Sequence, residues 1–169
     1  MLDHDQREDT KRLGRLVDKI QFTMMTTISH EDGSLRSRPM TLQKTEFDGD
    51  FWFFASKSSP VAADIQQDGN MNLAFADPAS SRYVSVVGHG EVMDSRQKAA
   101  ELWNPALLAW FPRGLDDPEL TLLKVHVTRA DFWETPSSKV AHLIGFTKAM
   151  LTGRRPDLGG HHHVEGAPI

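Results

Sequence analysis

The sequence predicts a mainly β fold: a six-stranded antiparallel barrel, closed or partly closed, with short helices around it. First, six segments have the alternation or the β-branched and aromatic content of strands. Second, turns or short helices separate them, so the strand-helix-strand rhythm of a doubly wound sheet is missing. Third, the motif GxGxxG of dinucleotide-binding folds does not occur.

Each element is predicted from local signals. Helices show apolar residues three and four apart, with Pro or Ser near the start and Gly beyond the end. Strands lie between turn residues such as Glu31-Asp32-Gly33-Ser34. The predicted elements are, in order, a helix at Asp5–Gln21, strands at Phe22–Ser29, Arg36–Thr45 and Phe51–Ala55, a helix at Pro60–Asp68, strands at Met71–Ala76 and Arg82–Met93, a helix at Arg96–Trp103, a strand at Leu120–Glu134 and a last helix from Thr135.

The composition limits the class of protein. No linker or repeat divides the 169 residues, so we expect one domain over 1–152 and a flexible Gly- and Pro-rich tail over 153–169. Without cysteine there are no disulfides or thiolate metal sites. The net charge of −4 is spread along the chain, which argues against a nucleic-acid partner. No apolar run is long enough to span a membrane and the N-terminus is charged, so we expect a soluble, cytoplasmic protein.

The eight histidines do not predict a metal site. His161, His162 and His163 are adjacent in the tail, and adjacent residues of an extended chain do not easily face one ion. His89 and His126 lie on predicted strands and could meet in space. No Asp/Glu–His spacing typical of a metal site surrounds them.

The stretch Arg36–Pro60 carries the strongest functional signal. Its two strands flank Asp48-Gly49, which predicts a β-hairpin. Arg36 and Arg38 are two residues apart on the first strand and therefore share a face. The second strand runs into Ser56-Lys57-Ser58-Ser59-Pro60, where hydroxyls, an ammonium group and a helix start favour an anion such as phosphate. The alternative is a surface strand followed by an ordinary helix N-cap.

Four consecutive aromatic residues, Phe51 to Phe54, form the centre of the second strand. Alternate members point to opposite faces of a sheet. One pair is therefore expected to leave the barrel core for a subunit contact or a ligand.

Several segments in a fixed order resemble one family. They are RSRPMTL, FWFFASKSSP, NMNLAFADP, RYVSVVGHGEV, LWNPALLAWFPRGLDDPELTLLKV and ADFWE. Together they resemble the general stress protein 26 subfamily of the pyridoxamine 5′-phosphate oxidase-like flavin-binding split barrels, over about Phe22 to Trp133. The resemblance implies a split β-barrel that forms a homodimer, with FMN, or FAD, in a cleft between the subunits.

The resemblance also implies the cofactor contacts. Arg38 corresponds to the phosphate ligand and Trp133 to a residue that reaches the flavin from the partner chain. Val61 stands where the family often has a Lys, and Lys57, on the other side of the turn, is the candidate to compensate for it. The full set of implied cofactor-binding residues is Arg38, Pro39, Met40, Phe54, Ala55, Ser56, Lys57, Ser58, Ser59 and Trp133.

The expected function is that of an FMN-dependent oxidoreductase acting with a small-molecule electron donor and acceptor. No side chain is assigned as a catalytic acid or base. Vitamin B6 oxidation is not expected, because only Lys139 and His142 stand where such enzymes hold a second phosphate. The alternatives are a flavin-binding module without turnover, for storage or stress sensing, and a split barrel that holds a deazaflavin or haem.

Overall fold

A computed structural model describes residues 2–134 and 160–165 of the chain. The strands and helices follow the predicted order, and the helix expected from Thr135 lies outside the described residues. Three short 3₁₀ turns, at Pro78–Ser80, Pro105–Ala109 and Gly114–Asp116, complete the connections. The elements are α1 (Leu2–Val17), β1 (Phe22–Ile28), β2 (Leu35–Thr41), β3 (Asp50–Ser56), α2 (Pro60–Gln67), β4 (Asn70–Asp77), β5 (Arg82–Met93), α3 (Arg96–Leu102), β6 (Leu120–Glu134) and β7 (Gly160–Glu165).

All described strand pairs are antiparallel, in the order β2-β1-β4-β5-β6-β3. The two end strands, β2 and β3, approach each other as the sheet curls. Just past the end of β2, the Gln43 amide donates to the Trp52 carbonyl of β3 at 3.0 Å. The sheet is thus a curled, incompletely closed barrel, as the sequence predicts.

The prediction of a hairpin between β2 and β3 is wrong. β2 pairs with β1, whereas β3 pairs with β6 along its whole length. Residues 42–49 separate the two strands, and this connection is longer than the two to five residues of most hairpin loops. Gly49 has a φ of +113°, so it makes a turn, but the turn leads β3 to the other end of the sheet.

Gly88 and Gly90 of β5 explain how the sheet bends. The register with β6 shifts between Val87 and Gly88, and a Cβ on Gly88 would lie 2.7 Å from the His126 carbonyl oxygen. A Cβ on Gly90 would overlap the end of the Met71 side chain. The bulge at Gly88 and the close approach of the His126 backbone therefore require a residue without a side chain at this position.

The buried side chains form two clusters, one on each face of β3. Phe51, Phe53 and Ala55 belong to the barrel core with residues of α1, α2 and the other strands. Trp52 and Phe54 face the opposite way and are covered by α3 and the segment before β6. One aromatic pair therefore leaves the barrel core, as the sequence predicts, and within this chain it is covered by the second cluster. Their described neighbours in the second cluster are Ala99, Leu102, Phe111, Leu120 and Leu122.

Part of the expected flexible tail is a strand. β7 pairs with the second half of β6, from Arg129↔Glu165 to Glu134↔Gly160. The 15 residues of β6 allow this, because β3 pairs only with its first half, up to His126. The expectation of a flexible tail is therefore wrong for residues 160–165. The open edge of β6 offers main-chain hydrogen bonds to this segment, and the local composition does not indicate such a partner.

None of the described helices combines the length and the apolar character that crossing a membrane requires.

Candidate anion-binding site

The turn between β3 and α2 is built by its serines. Ser59 has an extended backbone and is the N-cap of α2, and Pro60 occupies the first helical turn. The Ser59 hydroxyl donates to the Ser56 carbonyl at 2.6 Å, and Ser59 Oγ accepts from the Ala62 amide at 3.4 Å. Ser59 is therefore a capping residue, as the alternative interpretation of the sequence has it.

The same turn holds an anion, and the anion is the carboxylate of Glu119. Glu119 Oε2 accepts from the Ser58 hydroxyl at 2.6 Å and from the Ser58 amide at 3.1 Å. The Ser56 hydroxyl donates to the same oxygen. Three donors that converge on one oxygen form the kind of site that the sequence predicts for a phosphate oxygen.

The electrostatic effect on Glu119 agrees with this geometry. The hydrogen bond from the Ser56 hydroxyl, followed by those from the Ser58 hydroxyl and amide, lowers the pKa of Glu119 from its ordinary value. The neighbouring Lys57 ammonium acts in the same direction. The turn thus favours the charged form of a bound acid.

Arg38 reaches α2 at its middle. Its Nη1 donates to Thr27 Oγ1 at 2.6 Å and its Nη2 to Asp64 Oδ2 at 3.1 Å. Asp64 lies five residues after the Ser59 cap, which is about 7.5 Å along a helix axis. The structure therefore brings Arg38 and the turn to the same helix, with the guanidinium bonded more than one turn beyond the cap.

Asp64 is the centre of a buried polar cluster. Its side chain is fully buried and accepts from the Thr27 hydroxyl at 2.7 Å and from the His30 amide at 2.9 Å. His30 Nδ1 lies 2.7 Å from Asp64 Oδ1 and carries the proton there, because an ionised carboxylate only accepts. Burial favours a raised pKa, but the hydrogen bonds from His30 and Thr27 and the charge of Arg38 lower the pKa of Asp64 to about 2.

Lys57 and Val61 complete the surroundings of the turn. Lys57 Nζ lies 2.8 Å from Asp94 Oδ2, in an exposed ion pair. Val61 is 6% exposed and packs into the barrel core. Position 61 is thus occupied by a core side chain that supplies no charge to the turn.

The other predicted contacts fall into two environments. Phe54 and Ala55 are buried in the two core clusters, so their side chains serve packing. Pro39 is exposed on the outer face of β2, Met40 packs against the barrel core from the inner face, and Trp133 is 43% exposed at the end of β6.

The described part of the chain contains several histidines and carboxylates that could in principle bind a metal. No group of three or more His, Asp or Glu side chains there is arranged to hold an ion. His89 lies opposite His126 on neighbouring strands, and His126 Nδ1 is 2.8 Å from Asp50 Oδ1. His161–His163 belong to β7.

Three acidic residues that the sequence does not predict engage this site: Asp64, Asp94 and Glu119. Asp64 has a recognisable signal, since it lies on the side of α2 that also buries Val61 and Ile65. Asp94 and Glu119 have none, because each meets its partner across 37 or more residues.

These features define a class of protein: an antiparallel split barrel with an oxyanion-binding turn between its third strand and the following helix. The family model described as "Pyridoxamine 5′-phosphate oxidase like" matches residues 8–157, and the chain belongs to this family. The resemblance stated from the sequence is confirmed.

Individual relatives support the same assignment. Protein bli-3 of Neurospora crassa is 27% identical over 143 residues, which are 79% of this chain and 68% of that protein. A general stress protein 26 from Jannaschia sp. CCS1 superposes with a TM-score of 0.74 at 24% identity, covering 94% of this chain and 99% of that one, and shows the fold. The general stress FMN/FAD binding protein from Xanthomonas citri has a TM-score of 0.67 and 28% identity, covering 78% of this chain and 92% of that one.

Proposed function

We propose that this chain is a flavin-binding protein that holds FMN, or FAD, between two copies of itself. The family assignment supports a flavin, as does the similarity to the Xanthomonas citri protein, which is described as binding FMN/FAD. A role in stress is proposed on the same similarity. The observation that carries the proposal is the turn at Ser56–Ser59, which gathers three donors on one anionic oxygen.

The residues of the turn fit a phosphate by their chemistry. Two hydroxyls and one amide already hold a carboxylate oxygen, and a phosphate oxygen accepts the same hydrogen bonds. The N-terminus of α2 adds its dipole, and the Arg38 guanidinium lies against the same helix. We assign Ser56, Ser58 and Arg38 to the phosphate, and the backbone at Pro39-Met40 to the ring system.

A second copy is proposed to cover the outer face of the sheet. Met24 is 43% exposed, and it lies opposite Pro39 of β2 and Ala74 of β4. On the same face, Tyr83 of β5 is 46% exposed and lies opposite Trp133 of β6. Large apolar residues that share one exposed face are typical of a subunit interface.

The proposed activity is that of an oxidoreductase with a small-molecule donor and acceptor. A bound flavin supplies hydride transfer, while the chain binds and orients it and excludes water. No described side chain is assigned as an acid or base. A flavin-binding module without turnover has the same site, so NAD(P)H oxidation by the flavin-loaded protein distinguishes the two.

The test begins with the absorption spectrum of the purified protein. Flavin bands, or saturable binding of FMN, FAD and riboflavin followed by fluorescence, are the expected result. Sedimentation at the same concentrations is expected to give a dimer. Absence of binding for all three flavins would reject the proposed function.

A further inference from the structure

The hydroxyl protons of the Ser56–Ser59 turn are all used within the chain. A serine hydroxyl has one proton to donate. The Ser56 and Ser58 hydroxyls donate theirs to Glu119, and the Ser59 hydroxyl donates to the Ser56 carbonyl. A ligand oxygen therefore finds no free hydroxyl proton in this turn.

The backbone amides of the turn are used in the same way. The Lys57 amide donates to the Glu119 carbonyl at 2.7 Å, and the Ser59 amide to the Ser56 carbonyl at 3.0 Å. The Ser58 amide donates to Glu119 Oε2. The three serine hydroxyls and these three amides offer six hydrogen-bond protons. The Glu119 Oε2 atom accepts hydrogen bonds from three of them.

We propose that Glu119 is a built-in competitor for the flavin phosphate: a phosphate binds the turn formed by Ser56, Lys57 and Ser58 only by displacing the Glu119 carboxylate. A phosphate and a carboxylate cannot share these donors, because both are anions and repel each other at short range. The inference rests on the proposed function, since it takes this turn to be the phosphate site.

The backbone around Glu119 holds the carboxylate at the turn. Ser56 is the Cα partner of Leu120, so the register of β3 and β6 fixes Glu119 beside Lys57. The Glu119 amide donates to Asp117 Oδ1 at 3.1 Å, which orders the loop before β6. The side chain itself is exposed, so it can rotate away without any change of the core.

The consequence is a specific effect on phosphate recognition. Riboflavin has the ring system and ribityl chain of FMN without its phosphate, so it does not compete with Glu119. Removal of the carboxylate is expected to increase the affinity for FMN and leave that for riboflavin unchanged. The residue thus limits how strongly the chain prefers the phosphorylated flavin.

The experiment compares dissociation constants for FMN and riboflavin in the wild type, Glu119→Gln and Glu119→Ala. Glutamine keeps the shape and removes the charge, whereas alanine removes both. We expect the FMN constant to fall about tenfold or more in both variants and the riboflavin constant to stay within about twofold. Glu46→Gln is the control, because Glu46 is equally exposed, carries the same charge and lies in the loop before β3, at the opposite end of that strand.

An FMN constant that is unchanged or higher in both variants overturns the inference. If no variant binds any flavin, the proposed function fails.

Binding of inorganic phosphate then tests whether Glu119 excludes an anion from the turn. Phosphate is expected to raise the melting temperature of the two Glu119 variants and to leave that of the wild type unchanged. Equal shifts in all proteins would show that Glu119 does not exclude an anion from the turn. The melting temperature without ligand checks that the variants are folded.

Discussion

Arg38 of β2 and Asp64 of α2 form an ion pair, with 3.1 Å between Arg38 Nη2 and Asp64 Oδ2. The Asp64 side chain is fully buried and that of Arg38 is 21% exposed. The pair joins β2 to α2, and Thr27 and His30 bond to the same carboxylate. This cluster holds α2, and therefore the turn before it, against the first two strands.

The first prediction concerns the stability of this cluster. Asp64→Ala leaves the Arg38 guanidinium and the Thr27 hydroxyl without their buried acceptor. We expect the free energy of unfolding to fall by about 3–5 kcal/mol, as when one partner of a buried ion pair is removed. Urea denaturation at neutral pH measures it.

The control for this variant is Asp94→Asn. Asp94 also pairs with a cation, Lys57, but its side chain is 79% exposed. We expect a loss below about 1 kcal/mol. Equal losses for the two variants would mean that burial of Asp64 does not add to its contribution.

The second prediction is a loss of stability in acid. The pKa of Asp64 is about 2 in the folded chain, against an ordinary value of 3.8. Since the folded pKa is the lower one, the ionised carboxylate stabilises the fold above the unfolded pKa, and this contribution disappears as the pH falls toward about 2. The contribution corresponds to about 2 kcal/mol.

The measurement compares urea denaturation of the wild type and Asp64→Asn between about pH 6 and about pH 2. The difference in unfolding free energy between the two proteins is expected to shrink as the pH falls. A constant difference over this range would contradict the assignment to Asp64.

The third prediction concerns the cofactor. Arg38→Ala is expected to weaken FMN binding by about 1.5–3 kcal/mol, the size of a charge-assisted hydrogen bond. Titration below the melting temperature of the variant separates binding from the accompanying loss of stability. The control is Arg36→Ala, because Arg36 lies on the same face of β2 but forms an exposed pair with Glu31.

Lys57→Ala refines this third test. Lys57 is expected to contribute less than Arg38, because its ammonium forms an exposed pair with Asp94. An unchanged dissociation constant in Arg38→Ala would remove Arg38 from the phosphate site. Equal losses in the two variants would mean that Lys57 supplies the positive charge that the resemblance implies for position 61.

The fourth prediction concerns the proposed dimer. Met24→Glu places a charge on the outer face between Pro39 and Ala74, where a partner subunit would bury it. The variant is expected to sediment as a monomer and to bind flavin weakly. Thr45→Glu, in the exposed loop before β3, is the control that keeps the dimer. A dimer that survives in Met24→Glu would place the interface elsewhere.

The sequence by itself determined the local structure of this protein. Alternation along Arg82–Met93 and Leu120–Glu134 predicted both strands to the residue, and Ser59-Pro60 predicted the start of α2. These signals are local, because side-chain alternation and helix capping depend on residues a few positions apart. The order of the segments was also sufficient to identify the family.

Only the tertiary structure decided which distant residues meet. It paired β3 with β6 in place of β2, so that Leu120 lies opposite Ser56 and the preceding Glu119 reaches the turn. The tertiary structure also brought Asp64 of α2 into an ion pair with Arg38 of β2. Such contacts depend on the register of paired strands and on the packing of a helix against residues far away in the sequence. A pattern within one segment determines neither of these.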